Sequence, residues 1–250
     1  MPDHLQLDVS ADAQRAALRA ADWIRERIAS TSDVFRIALS GGNTPRLLYT
    51  HLASPEFRDS IEWRRVELFW GDERFVPHTD ARSNYRMARE TLLAHAPVLI
   101  DHVHPIVTEG DPESAARRYE TVLKSVYGAD TLEPTEPLFD VVLLGLGTDG
   151  HMASLFPESP VLNERTKWAM PASHDGAARI TLTYPPLESS RAVLFLVAGS
   201  EKADAVRGVF ADDQKLPAAR LRPQGQVIWF LDEAAAQELP PEQREQACPA

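Results

Sequence analysis

Asp149 and His151 stand two residues apart in the stretch Phe139–Pro157, FDVVLLGLGTDGHMASLFP. An imidazole can take and return a proton near neutral pH, and a neighbouring carboxylate can orient it or favour its protonated form. The pair therefore has the residue types of a general acid/base centre. It is delivered by Val141-Val142-Leu143-Leu144, an unbroken apolar run that reads as a strand buried on both faces. Gly145, Gly147 and Gly150 tighten the loop that follows, and Met152 to Phe156, stopped by Pro157, reads as the start of a helix. Groups at the carboxyl end of such a strand lie where open α/β sheets bind ligands. Two readings compete. The three glycines match the spacing of a dinucleotide-binding fingerprint, but Asp149 would set a negative charge beside the pyrophosphate. Glu164, the acid at the right distance, does not end a strand. The other reading is a plain glycine turn with a surface histidine.

A second constellation suits an anion. The apolar strand Phe35–Leu39 runs into Ser40-Gly41-Gly42-Asn43-Thr44-Pro45, and a helix is expected from about Arg46 to Ala53, with Thr44 as its cap and Pro45 as its first residue. Small residues opening a helix present free backbone N–H groups at a positive dipole end, a ready phosphate site. The Gly-Lys-Ser/Thr ending of an NTP-binding loop is missing, so a sugar phosphate fits better than ATP. A tight turn without a ligand stays open. Ser40 lies outside any G-x-S-x-G elbow, which argues against a nucleophilic serine. Lys202 falls in the first turn of a helix, where the macrodipole disfavours a cation. That points to an anionic partner, with a solvated lysine as the bland alternative. Asp72-Glu73-Arg74 follows the strand Val66–Trp70 directly and is either a site or a salt-bridged loop. His102 and His104 have the spacing of a metal pair, but no third ligand is near, so a plain strand is expected there.

The remaining elements must hold these groups. Leu5, Leu7 and Val9 alternate as a short, possible edge strand, and Ser10 can cap the amphipathic helix running through Ala13, Ala17, Trp23 and Ile28. Ser83 caps a helix holding Tyr85, Met87 and Leu92. Glu109 to Tyr127 is a third helix, and Asp130 to Pro137 a connector. Trp168–Pro171 and Ala178–Leu182 are short strand-like pieces. Ala192–Val197 and Val227–Leu231 are strands, with a helix to about Phe210 between them, and Ala234 to Ala250 reads as a helix with a frayed tail. Strands alternate with helices almost throughout. This predicts an α/β class fold, a three-layer α/β/α sandwich around a mostly parallel sheet, in a single domain over 1–250.

The net charge of −11 argues against a nucleic-acid partner. The lone cysteine, Cys248, excludes an intramolecular disulfide and a thiolate metal cluster. No apolar stretch reads as a signal peptide or is long enough to span a membrane, so a cytoplasmic protein is expected. Monomer and homodimer are equally open.

Five stretches together carry a family resemblance: LSGGNTP at Leu39–Pro45, WGDERFVPHTDARSNYRMARETLL at Trp70–Leu93, GLGTDGHMASLFP at Gly145–Pro157, RITLTYP at Arg179–Pro185 and GSEKADAV at Gly199–Val206. In this order, across nearly the whole chain, they resemble the 6-phosphogluconolactonases. The resemblance implies hydrolysis of 6-phospho-D-glucono-1,5-lactone, a step of the oxidative pentose phosphate pathway, with no cofactor or metal. The related glucosamine-6-phosphate deaminases share the D-G-H core but place a glutamate where this chain has Phe156, and they read differently where it has Arg74. Another sugar-phosphate isomerase and a non-catalytic sugar-phosphate sensor are the further alternatives.

Under the lactonase reading His151 is expected to activate water and return the proton to the ring oxygen, with Asp149 orienting it. Ser40, Gly41, Gly42, Asn43, Thr44, Arg179 and Lys202 are expected to hold the phosphate. Asp72 and Arg74 would line the pocket, Arg74 either assisting the oxyanion or pairing with Asp72 or Glu73. Asn84 is a candidate for the sugar hydroxyls.

Overall fold

The computed structural model describes residues 5–245 of the chain; Cys248 and the rest of the expected tail lie outside them. The chain runs β1 (Leu5–Ser10), α1 (Ala13–Ser30), β2 (Phe35–Leu39), α2 (Asn43–Leu52), α3 (Pro55–Arg58), β3 (Val66–Trp70), β4 (Asp72–Arg74), α4 (Asn84–Ala88), α5 (Pro112–Tyr127) and β5 (Phe139–Leu144). It continues through β6 (Ala169–His174), β7 (Ala177–Leu182), α6 (Tyr184–Glu188), β8 (Ser190–Val197), α7 (Ala203–Phe210), β9 (Gln226–Asp232), α8 (Glu233–Ala236) and α9 (Pro241–Glu245).

Six strands form one parallel sheet in the order β1-β9-β8-β5-β2-β3, with helices on both faces. The expected α/β architecture is therefore present, and β1 is an edge strand as its alternation predicted. β5 lies near the middle. Val141 to Leu144 are almost wholly buried, as a strand covered on both faces requires. The alanines of α1 let that helix settle close: Ala16, Ala17, Ala20 and Ala21 are buried with Ile24 and Ile28. From β2 the chain departs towards β3, whereas β5 lies on the other side of β2 and leads away towards β8. The crevice at the carboxyl ends of β2 and β5 is thus a topological switch point.

A second sheet, unforeseen as a unit, is antiparallel and ordered β4-β7-β6. One residue joins it to the first. Gly71 donates its N–H to Leu39 O of β2 at 2.8 Å, and its carbonyl accepts Leu182 N of β7 at 2.8 Å. The small sheet is therefore hung from the end of β3, over the switch point.

Several local expectations are corrected. Ser10 ends β1, and Asp12 caps α1 by accepting from Arg15 N. A side chain nearer the first turn has won. α2 starts at Asn43 rather than after Thr44; its cap is Gly42, at φ 110°, with no side-chain cap bond. The stretch after His151 is no helix. Met152 bridges Leu155 in a tight turn with Ala153 at φ 48°, because Ser154 is drawn to Asp72 and Thr181. Around His102 and His104 only Val103 bridges β3, at Leu68, while His104 Nε2 lies 2.8 Å from Glu67 Oε1.

Candidate active site

The ends of β2, beside the crevice, and of its neighbour β3 are fixed by buried phenols. Tyr49 of α2 accepts from Ser40 N at 3.0 Å and donates to Ser40 O at 2.7 Å. Tyr119 of α5 does the same for Trp70 at the end of β3, at 2.8 and 2.9 Å. A strand's last peptide would otherwise leave two buried polar groups unmet, at about 1–3 kcal/mol each. Burial pushes both phenols well above their ordinary range. They remain neutral donors, and the Ser40–Gly42 loop starts from a rigid point.

Beyond β5, Gly147 N donates to His151 O at 2.8 Å and Gly150 N to Gly147 O at 3.0 Å, closing the loop on itself. Asp149 Oδ1 accepts both His151 N (3.1 Å) and His151 Nδ1 (2.6 Å). A Cβ on Gly147 would fall 1.9 Å from His151 Nδ1, so only glycine permits this contact. Partial burial pushes the Asp149 carboxyl up, but the hydrogen bonds from His151 outweigh it and hold the group below its ordinary value. The ionised carboxylate accepts a hydrogen bond from Nδ1–H, the tautomer whose Nε2 carries the lone pair. Sequence placed these two residues together, and the structure brings them into contact.

The β4 end is built around carboxylates that sequence could not sort. Glu73 is almost wholly buried and accepts four hydrogen bonds, from Arg74 N, Asn84 N, Ser83 Oγ and Tyr85 N. Its burial raises its pKa against those bonds. It ties the start of α4 to β4. Asp72 accepts Ser154 Oγ at 2.6 Å and Asn84 Nδ2 at 3.2 Å. Neither carboxylate takes the side chain of Arg74. That guanidinium instead donates NH1 to Arg82 O and Asn84 Oδ1, both at 2.7 Å, and its buried Nε has no partner among the described residues.

This geometry corrects two expectations. Arg74 is not the ion-pair partner of Asp72 or Glu73. Asn84, 1% exposed, has its amide committed to Asp72 and Arg74 and stands behind the wall rather than offered to a sugar. Ser154 and Glu73 were missed. Their roles depend on contacts across the fold, which no local pattern announces.

Arg179 of β7 lies directly opposite Arg74 of β4. Its NH1 is 4.0 Å from Asp72 Oδ2, its carbon Cζ sits 5.4 Å above the Phe156 ring, and its buried Nε has no partner among the described residues. Burial lowers its pKa, with Asp72 opposing. Two guanidinium groups facing each other across a strand pair repel. An anion shared between them would relieve that repulsion. Lys202 closes the short turn Ser200–Lys202 at the end of β8 and has no ion-pair partner among the described residues. The Ser40–Thr44 loop, the Asp149–His151 loop and Lys202 thus follow the adjacent strands β2, β5 and β8. Concavities of about 460 Å³ beside β1 and α1 and about 770 Å³ between α5 and β6 lie elsewhere, neither lined by any of these residues.

Residues 8–229 match the family model described as glucosamine-6-phosphate isomerases/6-phosphogluconolactonase. The chain is 40% identical over 243 residues to a 6-phosphogluconolactonase of Synechocystis, covering 94% of this chain and 99% of the relative. It is 40% identical over 216 residues to one of Mycobacterium tuberculosis, covering 82% and 85%. The crystal structure of a devB protein superposes with a TM-score of 0.85 at 30% identity, covering 94% of this chain and all of the other. The 6-phosphogluconolactonase of Trypanosoma brucei gives 0.79 at 32% identity, covering 94% and 98%. A monomeric glucosamine-6-phosphate deaminase has a similar fold, with a TM-score of 0.78 at 20% identity and coverage of 94% and 99%.

Proposed function

This chain belongs to the glucosamine-6-phosphate isomerase/6-phosphogluconolactonase family, and from that premise we propose that His151 is the acid/base group of a lactone hydrolysis carried out in the β2–β5 crevice. The reaction is the opening of 6-phospho-D-glucono-1,5-lactone to 6-phosphogluconate in the pentose phosphate pathway. The observation that carries the assignment is the Asp149–His151 contact, which leaves His151 Nε2 as a free base at the switch point.

In the proposed mechanism Nε2 takes a proton from water as the water oxygen attacks C1. Asp149 stabilises the imidazolium that forms. The tetrahedral intermediate collapses, the C1–ring-oxygen bond breaks, and the imidazolium returns its proton to that oxygen. The phosphate, remote from the breaking bond, is the handle that sets C1 against the water. Arg74 and Arg179 approach it from β4 and β7, Lys202 from β8, and the N–H groups of the Ser40–Thr44 loop from the start of α2. Asp72 and Asn84 hold Arg74 and the Ser154 turn in register.

Phe156 favours the lactonase over a deaminase: an apolar ring at that position cannot serve ring-opening acid chemistry. We infer that the enzyme works in the cytoplasm, where a charged sugar phosphate is retained, as a monomer or homodimer. No helix among the described residues is long and apolar enough to cross a membrane.

The deciding experiment generates the lactone fresh at slightly acidic pH, to slow spontaneous opening, and compares wild type with His151→Ala. We expect kcat to fall about 10²–10⁴-fold. An unchanged kcat would move the base elsewhere, and no acceleration by folded wild type would sink the lactonase assignment.

A further inference from the structure

A second imidazole stands beside the first. The β6–β7 hairpin turns on Asp175-Gly176, both at positive φ (51° and 73°), the combination that closes a two-residue hairpin. Its closing pair is His174 and Ala177. His174 lies flat on Phe156, with ring centroids 4.0 Å apart and planes 5° apart. His151 meets the same Phe156 ring at 4.5 Å, and the two imidazole centroids are 6.2 Å apart. From these three distances, the two histidines subtend close to a right angle at Phe156, with His174 stacked on the ring and His151 tilted against it by 41°. Asp175 Oδ2 lies 3.5 Å from His174 Nε2, at ion-pair distance. Neither ring nitrogen makes a hydrogen bond among the described residues, and the side chain is 40% exposed.

We propose that His174 touches the substrate and determines its specificity, donating a hydrogen bond to the hydroxyl on the carbon next to the lactone carbonyl. This rests on the lactonase reading of His151. If Nε2 of His151 holds the water that attacks C1, the nearest substituent outside the reacting group is the 2-hydroxyl. A hydrogen bond spans about 2.9 Å between heavy atoms. An imidazole 6.2 Å from His151 is at the right separation to hold that hydroxyl while His151 holds the water. The stack on Phe156 and the hairpin turn fix the ring before substrate arrives, so little rotamer freedom is lost on binding. Arg74 and Arg179, on the other two strand positions of the same small sheet, are left for the phosphate.

The test compares 6-phosphogluconolactone with its 2-deoxy analogue. A site built to bond a hydroxyl rejects the molecule lacking it, so wild type should prefer the natural lactone by about tenfold or more in kcat/KM. His174→Phe keeps a flat ring on Phe156 but cannot donate. It should lose about tenfold on the natural lactone and change less than about twofold on the 2-deoxy compound. His174→Gln, a donor without a ring, should keep the preference. Equal losses on both substrates, or an unchanged ratio in His174→Phe, would overturn the proposal alone. So would a preference kept in His174→Phe and lost in His174→Gln, which would assign the effect to the stack. Failure of wild type to open either lactone would overturn the lactonase reading and this inference together.

Discussion

His151 Nδ1 lies 2.6 Å from Asp149 Oδ1, and the same oxygen accepts the backbone N–H of His151. The carboxylate thus fixes the ring's tautomer and its peptide at once. Asp149→Asn keeps the shape, and its amide oxygen can still accept both N–H groups, but it carries no charge to stabilise the imidazolium that forms when Nε2 takes a proton. We expect kcat to drop about 10²–10⁴-fold with little change in KM. A matching loss in KM alone would assign Asp149 to substrate binding.

The same contact has a pH signature in stability. The folded Asp149 carboxyl titrates below its unfolded value, so its contribution is present above about pH 4 and is lost as pH falls through the folded value. The Tm difference between wild type and Asp149→Asn should be largest near neutrality and shrink towards pH 3. A gap constant over that range would contradict the assignment.

Gly41 and Asn84 should behave as one unit. A Cβ at Gly41 would fall 1.9 Å from Asn84 Oδ1, the atom that accepts Arg74 NH1. Gly41→Ala must therefore push Asn84 away and release Arg74. We expect each of Gly41→Ala and Asn84→Ala to lower kcat/KM, and the double variant to be no worse than the poorer single one, a coupling of about 1 kcal/mol or more. Additive losses would show that the two sites act separately.

Arg179→Ala should raise KM for the phosphorylated lactone about 10–100-fold and leave unphosphorylated gluconolactone nearly unchanged, since a charge-assisted bond to phosphate is what it removes. Equal effects on both substrates would remove Arg179 from the phosphate site.

Tyr49→Phe deletes one oxygen and strands both the N–H and the carbonyl of Ser40, which is 7% exposed. Unfolding in denaturant should show a loss of about 2 kcal/mol. A loss near zero would mean that water replaces the phenol.

The parallel strands that carry the site were legible because each is a compact apolar run that ends in small residues, with a glycine within two positions. Val66–Trp70 was read to the residue. What sequence hid was pairing at a distance. Ala178–Leu182 was visible as a strand-like piece, but its partner β4 lies over a hundred residues earlier. Met152–Phe156 has the composition of a helix start, yet Ser154 bonds Asp72 and the backbone follows it into a turn. The candidate residues were found one by one from charge and position. Which of them face each other, and that Asn84 stands behind Arg74 rather than beside the sugar, depended on Glu73 gathering the start of α4.

The joint at Gly71 bears on how such a protein can change. Gly71 hydrogen-bonds to the parallel sheet through its N–H and to the β4-β7-β6 sheet through its carbonyl, Ser154 ties the small sheet to the loop after β5, and α5 packs against β6 and β7. Ala169, Ala172, Ile180 and Leu182 of the small sheet are buried in the same core as the parallel strands. Arg74, Arg179 and His174 nevertheless all ride on the small sheet, whereas His151 follows β5 of the parallel one. Substitutions confined to the small sheet could thus change which molecule is accepted without touching the loop that carries Asp149 and His151.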